Sequence, residues 1–270
     1  MTAQLIRGTA ETSDEAAESN ESSARAILGA TLTFLALVAL WELLVRWFNT
    51  PGWLLPAPSV IALAMAEWRD ELARHSLVTL YETLLGFALS IAISIPLAVA
   101  VVHLAILRNT IYPILLAFHS VPKVAIAPLL LLWLGFGMLP KIVVVFLICF
   151  FPIVVATATG LSAVPAPLME LIRSLSGSTM QTFIKIRFPT AMPYMFVGLK
   201  VAITLAVIGA VIGEFVGSEE GLGYLILVST SQSRTPLAFA AFVLLTVISI
   251  VLYYGTVFIE RIAVPWAPKN

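Results

Sequence analysis

The sequence has little charge. Of its 270 residues, 11% are Asp, Glu, Lys or Arg and 60% are hydrophobic, and the mean hydropathy is +1.01. This composition excludes an ordinary water-soluble enzyme domain, in which about a quarter of the residues are charged. The 15 basic and 15 acidic residues balance to zero net charge. The chain therefore lacks the excess of Lys and Arg that a nucleic-acid-binding surface needs.

The residues required for several kinds of chemistry are also missing. Cys149 is the single cysteine, and one thiol cannot form an internal disulfide or a zinc cluster. His75, His103 and His119 lie far from one another in the sequence, so no metal-ligand spacing occurs. There is no G-x-x-x-x-G-K-S/T phosphate loop, and no arrangement typical of a catalytic triad or a pair of catalytic carboxylates. We therefore predict a chain that is not itself an enzyme and that binds no metal and no cofactor.

Long apolar stretches are abundant. A helix needs roughly 20 apolar residues to cross a hydrocarbon core about 30 Å thick, because its backbone polar groups must pair within the helix in lipid. Six stretches meet this requirement, at about 27–48, 77–102, 111–134, 141–160, 190–216 and 236–259. The predicted fold class is therefore all-α, a polytopic integral membrane protein with about six transmembrane helices.

Polar segments flank the apolar region. Residues 1–25 are rich in Glu, Ser and Ala and are predicted to be a disordered cytoplasmic tail, followed by a transmembrane domain at 26–262 and a short C-terminal tail at 263–270. Lys and Arg favour the cytoplasmic side of a membrane, and they are more numerous inside when both termini are placed there. The inner segments then hold Arg7, Arg25, Arg108, Arg173, Lys185, Arg187, Arg261 and Lys269, and the outer ones hold Arg46, Arg69, Arg74, Lys141 and Arg234.

The inner connection at about 161–189 is too long and too polar for a simple turn. Its first half has an apolar stripe at helical spacing, with polar side chains off the stripe. The stripe consists of Leu168, Leu171, Ile172 and Leu175, and the polar residues are Glu170, Arg173 and Ser174. Gly177 is expected to break this helix. Ser178 followed by Gln181 fits a capping box, so a second short helix should begin there and end at Pro189.

The segment MELIRSLSGSTMQTFIKIRFP resembles the EAA loop of the membrane subunits of ATP-binding-cassette importers. The pattern of that loop is E-A-A, three residues, G, nine residues, I-x-L-P, and Glu170, Ile186 and Pro189 match it at the required spacing. The departures are Leu171 and Ile172 for the two alanines, Ser176 for the glycine with Gly177 one place late, and Phe188 for leucine.

The resemblance extends from about residue 54 to the C-terminus. The segments LLPAPSVI, SVPKVAIAPLLLLWLGFGMLPKIVVV and GEFVGSEEGLGYLI resemble permeases of the nitrate, sulfonate and taurine importer group, which also includes transporters of pyrimidine precursors and riboflavin-like compounds. The resemblance implies a type I importer permease in the bacterial inner membrane, taking up a sulfonate, nitrate or other organic anion, or a pyrimidine- or flavin-like compound.

The resemblance also implies partners. These are a second copy of the permease in a homodimer, a cytoplasmic ATPase dimer that binds ATP and Mg²⁺, and an extracytoplasmic solute-binding protein. In this family a groove on the ATPase receives the short helix of the EAA loop. The residues that the resemblance assigns to ATPase coupling are Glu170, Arg173, Ser174, Ser176, Gly177, Ile186 and Pro189.

Ionisable side chains inside the predicted spans are candidates for the translocation path, because a charge in lipid usually faces a partner or a wet cavity. These candidates are Lys123, His119, Glu82, Glu214 and Lys200. Lys123 and His119 fall near mid-membrane, where nearby prolines interrupt backbone hydrogen bonding. Alternatives are a Lys123 that bonds a helix carbonyl or reaches the interface, a satisfied core histidine at His119, and a Lys200 that anchors its helix near the inner interface.

Gly209, Gly213 and Gly217 recur every four residues. This spacing places three small residues on one face of the fifth predicted span, so we expect a neighbouring helix to pack closely there, either in the same chain or across a dimer axis.

Two other classes of protein are compatible with the composition. An ion-gradient-driven secondary transporter or channel would use intramembrane charges such as Lys123, Glu82 and Glu214, although the internal repeat common in such proteins is not evident. A membrane scaffold without a transport role is the third possibility. Co-purification with an ATPase would distinguish an importer permease from both.

Overall fold

A computed structural model of the chain describes residues 28–104, 106, 107, 110, 114, 117 and 121–266. The chain divides into two compact units, Met1–Leu63 and Ala64–Asn270. The predicted N-terminal tail, the last residues of the C-terminal tail and His119 lie outside the described residues.

The described parts of the chain form α-helices, which we number in chain order. They are α1 (Leu28–Trp47), α2 (Pro58–Glu67), α3 (Arg69–His103), α4 (Lys123–Leu134), α5 (Met138–Ser162), α6 (Ala166–Ser174), α7 (Thr179–Gly217), α8 (Leu222–Ser231) and α9 (Thr235–Ala263). The predicted all-α, polytopic fold class is confirmed.

Five helices among the described residues, α1, α3, α5, α7 and α9, are long and apolar enough to cross a membrane. They correspond to five of the six predicted spans. Within the remaining one, at 111–134, the continuous described helix is α4, with 12 residues. Most of its first half lies outside the described residues. The span expected at 111–134 therefore stays a prediction.

The first unit ties α1 to the start of α2 through one carboxylate. Glu42 of α1 accepts hydrogen bonds from the Ser59 backbone N–H at 3.0 Å and from the Ser59 hydroxyl at 2.8 Å. It also accepts from Arg46 Nε at 2.6 Å. Ser59 lies in the first turn of α2, where backbone N–H groups have no partner within the helix. Glu42 therefore caps α2 and places a negative charge at the positive end of that helix.

The second unit is built around α3, α5 and α7. Helices α5 and α7 run antiparallel, because Gly209 lies against Val145 while Gly198, a few turns earlier, lies against Ile153. Helices α3 and α5 run parallel, since Gly86 lies against Val145 and Ser94, further along α3, donates a hydrogen bond to the Phe150 carbonyl at 3.2 Å. Small residues at these crossings allow close backbone approach. The main core consists of Val145, Cys149, Ile153, Ala202, Ile203, Ala206 and Ala210.

The start of α7 differs from the prediction. The capping box is confirmed: Ser178 Oγ accepts from the Gln181 N–H at 3.2 Å, and Gln181 Oε1 accepts from the Ser178 N–H at 2.9 Å. The predicted end at Pro189 is wrong, because the helix continues to Gly217. Residues Phe183–Arg187 form a wider π-helical turn directly before the proline. Such a turn moves the preceding carbonyls away from the proline ring, which would otherwise clash with them, so the helix passes through Pro189 unbroken.

Candidate functional site

The α6–α7 hairpin, residues 166–187, presents apolar side chains to its surroundings. All of α6 is described, and none of its residues is buried. The exposed apolar side chains of the hairpin are Leu168, Leu171, Leu175, Met180 and Ile184. Glu170, Arg173, Ser174 and Ser176 are also exposed, and Gly177, Ile186 and Pro189 are half-buried. The apolar stripe of α6 was predicted from its spacing, whereas Met180 and Ile184 were not singled out.

The turn of the hairpin explains the position of its glycine. Ser176 adopts a left-handed backbone conformation with φ of 54°, at the place where the EAA pattern has glycine. Gly177 donates its N–H to the Ile172 carbonyl at 2.9 Å. A Cβ at Gly177 would lie 2.5 Å from Ile172 Cγ1. The turn therefore needs a left-handed residue at 176 and no side chain at 177.

A buried polar cluster lies at the end of the helix bundle opposite the hairpin, where α5 begins and α7 ends. We call it the polar clasp, and it consists of His75, Thr79, Glu82, Lys141 and Glu214. All five residues are buried, and Glu82 and Glu214 are 0% and 1% exposed. Charges in an apolar helix bundle require partners, because their separation from water is otherwise very unfavourable.

The pair Glu82 and Lys141 joins α3 to α5. The Lys141 ammonium forms an ion pair with the Glu82 carboxylate and donates a hydrogen bond to Ser218 Oγ at 2.9 Å. Gly213 lies against the Lys141 backbone, where a Cβ would be 3.1 Å from Lys141 Cα. Because Gly213 has no side chain, α7 can pack directly against the backbone of Lys141.

Thr79 and Glu214 join α3 to α7 and to the start of α8. The Thr79 hydroxyl donates to Glu214 Oε1 at 2.6 Å and accepts from the Leu222 N–H at 2.8 Å. The Gly223 N–H donates to Glu214 Oε2 at 2.5 Å. The Thr79 hydroxyl has a single proton, and it donates that proton to the Glu214 carboxylate because a short hydrogen bond to a charged acceptor is stronger than one to a neutral acceptor.

His75 of α3 bonds the residue that directly precedes α8. Its Nδ1 accepts from the Gly221 N–H at 2.9 Å, so Nδ1 is the unprotonated ring nitrogen. The backbone N–H groups of three consecutive residues, 221, 222 and 223, are therefore bonded to side chains of α3 and α7. The first N–H groups of a helix have no partner inside it. The clasp supplies these partners to α8 from two other helices.

This arrangement changes the interpretation of two predicted path residues. Glu82 and Glu214 are buried within the second unit and bonded to Lys141 and Thr79. Neither carboxylate is accessible to a solute in this conformation, and a path role for either of them stays a prediction. Their role here is to hold helices together.

The other path candidates have different surroundings. Lys200 pairs with Glu260 of α9, with Nζ to Oε distances of 2.9 and 3.2 Å, so it ties α7 to α9. Lys123 Nζ lies 4.9 Å from the centre of the Phe151 ring. It borders a cavity of about 150 Å³. The remaining lining residues are Val121, Ile126, Phe146, Leu147, Phe150 and Phe151.

The glycine stripe of α7 faces neighbours in the same chain. Gly209 lies against Val145 of α5, Gly213 against Lys141 of α5, and Gly217 against the Leu131 side chain of α4. In the part of the chain that the structure describes, no group of three His, Cys, Asp or Glu residues is placed to hold a metal ion.

Comparison with known proteins identifies the family. Residues 90–267 match the binding-protein-dependent transport system inner membrane component family. The chain belongs to this family. The permease is 34% identical over 241 residues to the formylaminopyrimidine transport permease protein ThiX of Halalkalibacterium halodurans, covering 89% of this chain and 96% of the relative. It is also 34% identical over 241 residues to the riboflavin transport system permease protein RibX of Chloroflexus aurantiacus, covering 88% and 90%.

A solved structure shares the fold. The permease superposes on a chain of the MetNI methionine ABC transporter, captured in an inward-facing conformation, with a TM-score of 0.62. The match covers 72% of this chain and 97% of that chain at 21% identity. The likeness shows the type I permease fold. The family match and the relatives that are about a third identical make the protein a multi-pass permease subunit of an ATP-driven importer, in which ATP hydrolysis belongs to separate subunits. The secondary-transporter alternative is set aside.

Proposed function

We propose that two copies of this permease form the solute path of a bacterial inner-membrane importer. A cytoplasmic ATPase dimer holds the α6–α7 hairpins and binds ATP and Mg²⁺, and an extracytoplasmic binding protein delivers the solute. Both termini and the hairpin are then cytoplasmic. The hairpin residues Arg173, Lys185 and Arg187 favour that side of the membrane.

The observation that carries this proposal is the exposed apolar surface of the hairpin. Leu171 and Met180 are 55% and 66% exposed, on a segment that also carries the charges of Glu170 and Arg173. An apolar centre with a polar rim is typical of a protein interface, because burial of the centre drives association and the rim gives specificity. A groove on a partner would remove these side chains from water.

The hairpin is also continuous with a membrane helix. Its second limb is the start of α7, which begins at the capping box of Ser178 and Gln181 and continues without a loop to Gly217. A displacement imposed on the hairpin therefore acts directly on a membrane helix, as rigid-body switching requires. ATP binding would favour the outward-open arrangement and hydrolysis would restore the inward-open one.

We infer that the solute is a small heteroaromatic compound of the pyrimidine or flavin class, rather than a sulfonate or nitrate. Two relatives that are 34% identical carry names for formylaminopyrimidine and riboflavin transport. The cavity beside Lys123 supports this inference, because its walls include Phe146, Phe150 and Phe151. Aromatic walls favour a planar ring, and the ammonium group can interact with ring carbonyls or with a π face.

The test of the ATPase interface is co-purification in detergent. Leu171→Glu places a charge in the centre of the proposed contact and should abolish recovery of the cognate ATPase with the permease. Phe136→Glu is the matched control, because Phe136 is 83% exposed in the turn between α4 and α5, at the other end of α5. The control should retain the ATPase. Equal recovery of the ATPase with both variants would overturn the assignment of the hairpin.

The solute class is tested by uptake into vesicles that contain the whole importer. Labelled formylaminopyrimidine or riboflavin should accumulate in an ATP-dependent manner, and labelled taurine should not. Lys123→Ala should lower that uptake while ATPase recovery stays normal. Accumulation of taurine alone would contradict the heteroaromatic assignment but would leave the importer function intact.

A further inference from the structure

We propose that the polar clasp makes the short helix α8 move together with the α6–α7 hairpin, so that Thr79 and Glu214 are positioning residues for transport. This inference rests on the proposed function, because it requires an ATPase that displaces the hairpin. It assigns a role to buried polar groups at the end of the permease farthest from the ATPase.

Helix α7 runs without interruption from the hairpin to the clasp. This helix has 39 residues, about 58 Å at 1.5 Å per residue. Its first turns belong to the α6–α7 hairpin, and Glu214 lies in its last turn. Between these points α7 is packed tightly on α5, where a Cβ at Gly198 would be 3.0 Å from the Pro152 carbonyl oxygen. A displacement of the hairpin therefore reaches Glu214 through one packed helix.

Helix α8 depends on the clasp for its position. This helix has 10 residues, and its N-cap residue is Gly221, which has no side chain for capping. A helix this short is not stable by itself in water. Its leading N–H groups instead bond to His75, Thr79 and Glu214. The position of α8 is therefore set by α3 and α7.

The contact between Glu214 and the start of α8 is very close. Gly221 has a φ of 111°, and a Cβ there would run into the Glu214 carboxylate. At Gly223 a Cβ would be 2.7 Å from Glu214 Oε2. Ser218, between the two helices, accepts from Lys141 and donates to the Glu220 carbonyl at 2.5 Å. The connection from α7 to α8 is therefore held at several points and leaves little freedom for α8 to lag behind α7.

Helix α8 lies at the end of the helix bundle opposite the hairpin, where it joins the end of α7 to the start of α9. Under the proposed function this is the extracytoplasmic end, where the binding protein delivers solute. A short helix that shifts there when the hairpin shifts would link the nucleotide state to the opening of the path on the delivery side.

The experiment measures the position of α8 in the complete importer, reconstituted with its ATPase in lipid nanodiscs. A nitroxide label at Leu227→Cys is suitable because Leu227 is 42% exposed on α8. The native Cys149 is buried, and the unsubstituted chain measures its background labelling. We expect the distance between the two labels of the dimer to differ between the nucleotide-free and the ATP-vanadate-trapped states.

The decisive variant is Thr79→Val, which removes the hydroxyl between Glu214 and Leu222 without changing side-chain shape. The matched control is Thr83→Val, a buried threonine one turn along α3 whose hydroxyl bonds the Thr79 carbonyl of its own helix at 2.7 Å. The nucleotide-dependent distance change should be lost in Thr79→Val and kept in Thr83→Val. Both variants should still hydrolyse ATP. Thr79→Ser, which restores the hydroxyl, should restore the distance change, a rescue that distinguishes positioning from general loss of structure.

The outcomes separate the two proposals. If no ATPase assembles with the unsubstituted permease, the proposed function fails. If the importer assembles and hydrolyses ATP but the labels do not move, or if Thr79→Val moves as the unsubstituted chain does, the proposed role of the clasp is wrong. If Thr79→Val does not fold, Glu214→Gln provides a second test, because a carboxamide has a single acceptor oxygen and cannot accept from both the Thr79 hydroxyl and the Gly223 N–H as the carboxylate does.

Discussion

The two ends of α7 are built in opposite ways. At the hairpin end the polar groups are exposed and bond to near neighbours in the chain, as Ser178 and Gln181 do three residues apart. At the clasp end they are buried and bond across the fold, as Thr79 and Glu214 do 135 residues apart. The difference indicates that the hairpin keeps its own shape while a partner covers its surface, whereas the clasp depends on the whole helix bundle.

Breaking the buried ion pair between Lys141 and Glu82 is expected to have the largest effect, a loss of stability at the clasp end. Lys141→Met leaves the Glu82 carboxylate buried without its cation, and losing one member of such a pair costs about 3–5 kcal/mol of stability. Lys200→Met is the matched control, because the side chains of Lys200 and Glu260 are 23% and 20% exposed, and a partly solvated pair contributes about 1 kcal/mol or less. Thermal unfolding in detergent measures both.

The double variant with Lys141→Met and Glu82→Gln provides a further check. Removing both charges of a buried pair is often close to neutral, since the desolvation of the carboxylate is removed together with its cation. The double variant should therefore be more stable than Lys141→Met alone. If the single variant unfolds at the same temperature as the unsubstituted chain, the ion pair does not stabilise the clasp.

An intermediate effect is expected at the hairpin, and on coupling rather than on global stability. In Gly177→Val the new side chain meets the Ile172 side chain, so the turn must open and the apolar surface must change shape. We expect ATPase co-purification to be lost while the unfolding temperature changes little, because α6 is not part of the core. Gly255→Val is the control, since a Cβ at Gly255 has no neighbour within 4 Å. A large drop in the unfolding temperature of Gly177→Val would contradict the separation between the two ends.

The smallest effect concerns the left-handed residue of the hairpin turn. Ser176→Gly should stabilise the turn by up to about 1 kcal/mol, because glycine adopts positive φ without the steric cost that a side chain adds. Hydrogen exchange of the Gly177 and Leu175 amides should slow, and that of the buried α8 amides should not change. Faster exchange at Gly177 would show that the serine side chain stabilises the turn in a way that its backbone angle does not reveal.

Local patterns were predictable where neighbouring residues interact. The capping box was predictable because the residues that bond are three apart. The end of the same helix at Pro189 was predicted wrongly, because proline usually stops a helix and no rule of spacing announces the π-helical turn that accommodates it. The stripe of glycines predicted close packing of α7, but it did not identify α5 and α4 as the neighbours.

The candidate site was predictable in part. The residues of the EAA pattern could be placed from spacing, and the family they resemble is the one to which the chain belongs. The intramembrane charges were expected to need partners, and Lys141 was not among them because it lies at the boundary of a predicted span. Glu82 and Glu214 looked like path residues because a sequence shows that a carboxylate lies within a span but not which way it points.

The sequence by itself determined the all-α membrane fold and the break between α6 and α7, because each depends on composition or on residues close together in the chain. The tertiary structure alone decided that α8 is capped by α3 and α7, and that Glu82 and Glu214 are buried with partners on neighbouring helices. The physical reason is that a buried polar group takes whichever partner the packed helices bring within hydrogen-bonding distance, and that choice is made across separations such as the 146 residues between His75 and Gly221.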